Sequence, residues 1–113
     1  MIVAHAYNES TRTLNISFSE DLLSTNVDAA SLQVFSLLES KGIEDAPWSN
    51  LRIDLTCSKM IDSTGLNLIV MLVHRVSARS GSVTIAISSS IIYQTLLFTR
   101  MDKQVIVEFV SLD

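Results

Sequence analysis

Asp62-Ser63-Thr64-Gly65 sets an acid, two hydroxyls and a glycine between Met60-Ile61 and an apolar run that begins at Leu66. Three chemistries fit these residue types: a helix start, a nucleophilic turn, or a serine that accepts a phosphate. A nucleophilic serine needs a base and an orienting group within hydrogen-bond reach. The hydrolase elbow, Gly-x-Ser-x-Gly, lacks its first glycine here. His5 and His74 are the only imidazoles. His74 lies some three helical turns beyond Ser63, about 15 Å away at ~1.5 Å per residue, too far to activate it. Both histidines are expected to be satisfied or solvent-facing.

Other catalytic sites fare no better. Gly42, Gly65 and Gly81 are the only glycines, so no Gly-rich phosphate loop exists. The acidic pairs Glu20/Asp21 and Glu44/Asp45 fall in loops and read as solvated charge. Cys57 stands alone, which rules out a disulfide framework, and with two distant histidines it offers no structural zinc site. Enzyme activity is not expected, nor is a cofactor.

As a helix start the motif is chemically sound. Asp, Ser and Thr oxygens accept backbone N–H groups that the first turn leaves orphaned. The same helix end carries partial positive charge and can hold an added phosphate. Phosphorylating a serine there adds about −1.5 to −2 charge without necessarily disturbing the fold. Gly65, lacking Cβ, would let another protein or its nucleotide approach the backbone.

The elements that must position this motif follow from the patterning. Ile2 to Tyr7 reads as a strand, Asn8-Glu9-Ser10 as a turn, and Leu14, Ile16 and Phe18 alternate in a second strand, predicting a hairpin. Ser24-Thr25-Asn26 offers N-caps, with Asp28 in the first turn. Ala30, Val34, Leu37 and Leu38 share one helical face, and Lys41-Gly42 is expected to close that helix. Gly42 to Asn50 reads as a loop in which Trp48 is a lid over the core edge rather than a ligand platform. Leu51, Ile53 and Leu55 mark a third strand. Gly65 to Arg79 reads as a helix apolar nearly all round, hence buried against a sheet. Val83, Ile85 and Ile87 form a fourth strand. Ser88 to Ser90 cap a short helix carrying Ile91, Ile92, Leu96 and Leu97, and Gln104 to Val110 is a last strand.

The order β-β-α-β-α-β-α-β predicts an α/β fold, a single-domain mixed sheet with helices packed on it. At 113 residues, 48% hydrophobic and 18% charged, residues 1–113 make one globular domain. The longest uninterrupted apolar run, Leu68 to Val73, is too short to cross a bilayer, and no cleavable leader is evident at the start of the sequence, so a cytoplasmic protein without direct membrane insertion is expected. A net charge of −4 without a basic stripe argues against nucleic acid as a partner.

Asn50-Leu51-Arg52-Ile53-Asp54-Leu55 followed by Met60-Ile61-Asp62-Ser63-Thr64-Gly65-Leu66 resembles the signature of STAS domains, the anti-sigma factor antagonist family. Ser80-Gly81-Ser82-Val83-Thr84-Ile85 is similar to that family's glycine turn and strand, and Leu96 to Lys103 to its last helix and exit. The resemblance runs from about Leu14 to Phe109. It implies a bacterial switch in transcription regulation. A cognate serine kinase that is also an anti-sigma factor would phosphorylate Ser63, with Thr64 as second choice. The unphosphorylated form would bind that kinase and free the sigma factor, and a phosphatase would reset it. Asp62 would help to place the hydroxyl, and Asp62, Ser63, Thr64, Gly65, Glu20 and Asp21 would meet the partner. The family's Gly-x-x-Asp-like turn after the second strand is replaced here by Phe18-Ser19-Glu20-Asp21-Leu22, so partner choice stays open. Domains resembling this one also serve as scaffold subunits of membrane lipid transporters and of multiprotein signalling complexes without a switch. A small-ligand or nucleotide sensor is a third reading, with no phosphate-cradling motif behind it.

Overall fold

A computed structural model of the chain describes residues 3–111. Nine regular elements follow in order: β1 (Val3–Asn8), β2 (Thr13–Phe18), α1 (Val27–Glu39), α2 (Lys41–Glu44), β3 (Asn50–Leu55), α3 (Ser63–Ser77), β4 (Val83–Ile87), α4 (Ser90–Phe98) and β5 (Ile106–Phe109). A 3-10 turn at Met101–Lys103 precedes β5. The sheet is mixed and its strands lie in sequence order. β1 and β2 form the expected antiparallel hairpin, while β2, β3, β4 and β5 are parallel. Ile2, placed by sequence in the first strand, lies outside the described residues.

Because each parallel strand is added on the same side of the last, crossovers of one hand put every long helix on one face. Burial shows it. Leu14, Ile16 and Phe18, Leu51, Ile53 and Leu55, and Val83, Ile85 and Ile87 all join one core cluster with Ala30 and Val34 of α1, Leu68, Ile69 and Leu72 of α3, and Ile92 and Leu96 of α4. The opposite face carries half-buried Asn15, Ser17, Arg52, Asp54 and Thr84. There Arg52 reaches over Ala86 to Glu108 at 2.8 Å. This bond holds the Glu108 carboxyl below its ordinary pKa.

Several boundaries differ from the sequence pattern. Lys41-Gly42 does not close α1, which ends at Glu39. Ser40 is extended there, its hydroxyl donating to the Leu37 carbonyl at 2.6 Å, and Lys41–Glu44 then forms α2 inside the expected loop. Asn26 holds the N-cap position of α1, yet its side chain does not cap. It folds back, accepting from Leu23 N at 3.0 Å and donating to the Asp21 carbonyl at 2.7 Å. α3 starts two residues before Gly65, because the cap sits at Asp62. It stops at Ser77, where Ser80 turns left-handed at φ 60° and Gly81 N returns to the Val76 carbonyl. β5 is shorter than Gln104 to Val110 because the amides of Gln104 and Val105 turn back to the Met101 carbonyl of the preceding 3-10 turn.

Trp48 covers the core edge as expected. It is buried, its Nε1 donates to the Ile43 carbonyl at 2.8 Å, and the Arg79 guanidinium stacks 3.9 Å from its ring centroid. Arg79 also donates to the carbonyls of Trp48, Glu44 and Ala46, at 2.9, 3.2 and 2.7 Å. This plug shuts the end of the sheet where the parallel strands begin.

Candidate functional site

The other end, where parallel strands finish, gathers three loops: Ser19 to Asn26 after β2, Thr56 to Asp62 after β3, and Ser88-Ser89 after β4. Such ends are where open α/β sheets place ligands and partners, since the loops there are short of backbone partners of their own. Side chains supply the missing bonds. The Asp21 carboxylate accepts from Lys59 N at 2.7 Å and Met60 N at 3.4 Å. Ser58, buried, donates to the Glu20 carbonyl at 2.7 Å. Ser89 donates to the Lys59 carbonyl at 2.8 Å and caps α4 through Ile92 N at 3.3 Å. Leu22 and Ile61 form an isolated parallel bridge, with Asp62 N donating to the Leu22 carbonyl at 3.2 Å.

Asp62 is the hub. One carboxylate oxygen accepts from Thr64 N at 3.0 Å, Gly65 N at 3.1 Å and the Thr64 hydroxyl; the other accepts from Ser24 N at 2.8 Å. It therefore caps α3 and ties it to the loop before α1 in one residue. The Thr64 hydroxyl, followed by the backbone amides, stabilises the ionised carboxylate and lowers the Asp62 pKa from its ordinary 3.8. Asp62 positions the Thr64 hydroxyl, not that of Ser63.

Ser63 is exposed, is the first residue of α3, and makes no side-chain hydrogen bond among the described residues. With the cap function taken by Asp62, Ser63 lines an open groove of about 530 Å³ between α1 and α3, together with Val27, Asp28, Ser31, Thr64, Asn67 and Met71. Gly65 has a different role from the one its sequence suggested. It is buried, and a Cβ there would stand 2.5 Å from the Leu22 carbonyl oxygen, so the close approach is made by the chain's own backbone. Asp21 corrects the reading of Glu20/Asp21 as solvated charge: it is half-buried and fixed on two amides, while Glu20 beside it is exposed. His5 and His74 are both solvent-facing, as expected. The structure thus brings Asp21, Asp62, Ser63, Thr64 and Gly65 to one end of the sheet, with Glu20 in the adjoining loop. Sequence reasoning placed Ser89 among the caps of the short helix, as found, but missed the bonds that Ser24, Ser58 and Ser89 make between the loops, with partners 30 or more residues away.

The family model for the STAS domain matches residues 6–111. The chain belongs to the STAS domain family. Its fold is that of solved STAS-like proteins. A protein from Thermotoga maritima assigned as an anti-sigma factor antagonist superposes with a TM-score of 0.80 at 18% identity, over 96% of this chain and 86% of that one. An anti-sigma factor antagonist from Mycobacterium paratuberculosis gives 0.73 at 15% identity, over 99% and 89%. No curated protein sequence matches the chain. Among the described residues of this STAS domain, no helix is long and apolar enough to cross a membrane.

Proposed function

We propose that this STAS domain is a phosphorylation-switched protein-binding module, an anti-sigma factor antagonist of a bacterial cytoplasm. Its unphosphorylated form binds an anti-sigma factor that is also a serine kinase, Ser63 is the phosphate acceptor, and a phosphatase restores the binding form. The observation that supports this most is the division of labour at the start of α3. Asp62 accepts from the first-turn amides of Thr64 and Gly65, and the neighbouring Ser63 hydroxyl is left exposed and without a partner among the described residues. A serine that capped its own helix would lose that bond on modification, whereas Ser63 can change without loosening α3.

The electrostatics favour release upon modification. A phosphate would add about −1.5 to −2 charge next to the Asp62 carboxylate and in the groove that Asp28 lines. The Asp62 carboxylate already occupies the helix amides that would otherwise welcome an anion. Added charge is therefore left uncompensated, and packing it against a partner costs desolvation and repulsion. Thr64 is the weaker acceptor, because its hydroxyl is committed to Asp62.

Affinity capture of the tagged chain from its native cells, with phosphate mapping by mass spectrometry, tests this reading. We expect phosphate on Ser63 and capture of a soluble histidine-kinase-like ATPase by the unmodified chain and by Ser63→Ala, lost with Ser63→Asp. Capture of a transporter ATPase by all three forms, with no phosphate on Ser63, would instead establish the switchless scaffold.

A further inference from the structure

The two edges of the sheet are unlike. β1 shows water Ala4, His5, Ala6 and Asn8. β5 shows Ile106, 56% exposed on the open face, and Phe109, 56% exposed on the helical face. Beside Phe109 the α4 side chains continue the patch. Tyr93 meets the Phe109 ring edge-on at 5.7 Å, and Leu97 and Phe98, the latter 91% exposed, follow one turn on. Natural edge strands are blunted by lysine, proline, a bulge or an inward charge. β5 has none of the first three, and its single charge, Glu108, is drawn back across Ala86 onto Arg52 at 2.8 Å.

The strand's outward backbone groups can be assigned. Val110 N donates to the Ile87 carbonyl at 2.8 Å, which directs the amides of Ile106 and Glu108 toward β4 by the two-residue period. Val107 and Phe109 therefore point their N–H and C=O groups away from the sheet, ready to pair with another strand.

We propose that β5 pairs antiparallel with β5 of a second copy of this chain about a twofold axis, giving a continuous ten-stranded sheet with the two α4 helices side by side. Three observations select this occupant. The exposed apolar side chains lie on both faces of the strand, and a lipid surface or a docked helix would cover one face only, while an added strand covers both. Tyr93, Leu97, Phe98, Ile106 and Phe109 leave about 500 Å² of side chain in water, taking roughly 150–250 Å² for a whole aromatic side chain. Doubled across a dyad, that reaches the ~1,000 Å² a specific interface needs. The edge is also self-complementary, with matched bare backbone groups and no unneutralised charge, and a twofold pairing uses both copies' edges so that no open end remains. Ser63, on α3 rather than on α4 or β5, stays outside this contact. The dimer does not depend on the switch.

Sedimentation equilibrium of the purified full chain across about 1–500 µM tests it, a range that reaches the weaker affinities found at the small end of specific interfaces. The expected mass is twice 12.5 kDa. Ile106→Lys, at an exposed position, should weaken the dimer at least tenfold with unchanged far-UV circular dichroism. Val107→Pro removes an outward N–H, at some cost to the packing of this half-buried side chain on the core, and should do the same. A species of 12.5 kDa at the highest concentration, or a dimer that neither substitution weakens, would overturn the proposal.

Discussion

At the end of the sheet where the parallel strands begin, a cation on Arg79 donates to the carbonyls of Glu44, Ala46 and Trp48 and sits over the Trp48 ring. At the end where they finish, two carboxylates, Asp21 and Asp62, accept from the amides of Lys59, Met60, Thr64, Gly65 and Ser24. Both ends face the same problem, short loops with unpaired backbone, and solve it with opposite charges. The guanidinium spends its donors on a buried aromatic edge and leaves nothing reactive outside. The carboxylates hold the loops from within and leave the Ser63 hydroxyl next to them in solvent. The first arrangement is a plug, and the second is a platform whose surface charge can be altered while its frame stays tied.

That contrast can be broken one element at a time. Gly81→Ala strikes the plugged end hardest, for its Cβ would stand 1.5 Å from the Ser49 carbonyl oxygen. A loss of about 3 kcal/mol or more in urea unfolding is expected, at the upper end for overpacking. Arg79→Ala should cost about 2–3 kcal/mol by stranding carbonyls and removing the stack. Arg79→Lys should recover little of it, because a compact ammonium cannot reach three carbonyls while it also covers the ring. At the platform, Gly65→Ala drives a Cβ to 2.5 Å from the Leu22 carbonyl, and about 2 kcal/mol of destabilisation is expected.

Asp62 gives the platform a pH signature. Its folded pKa is depressed below 3.8, so around that pH the unfolded chain holds more protons than the folded one. Its stabilisation is complete above the unfolded value and is lost as pH falls through the folded value. In wild type, acid titration of thermal stability should show this loss. In Asp62→Asn, an amide that can still accept from the helix amides, the Asp62 share of the slope should vanish while the fold persists. Ser63→Asp has the smallest effect on stability, within about 0.5 kcal/mol, as for other exposed substitutions.

Much of the frame was legible in the sequence. The alternation of Leu14, Ile16 and Phe18 with polar neighbours, and the same pattern at Leu51, Ile53 and Leu55, encodes a sheet buried on one face, which is what the burial shows. The site was legible as a cluster of types at a helix start. Which of Asp62, Ser63 and Thr64 is the cap was not, because all three have suitable oxygens and only the chain's path past Ser24 and Leu22 selects Asp62. Asp21 and Arg79 were opaque for a related reason. Their partners stand 31 to 39 residues away, and no local periodicity carries contacts of that range. Gly65 was seen as a gap for a visitor, and the fold fills it with Leu22.

The most direct measurement is a binding titration of the captured partner against the chain carrying serine or phosphoserine at position 63, at matched concentrations. A platform that changes charge without changing shape predicts tight binding by the serine form and at least tenfold weaker binding by the phosphoserine form, with superimposable circular dichroism spectra. Equal affinities for the two forms would contradict the account.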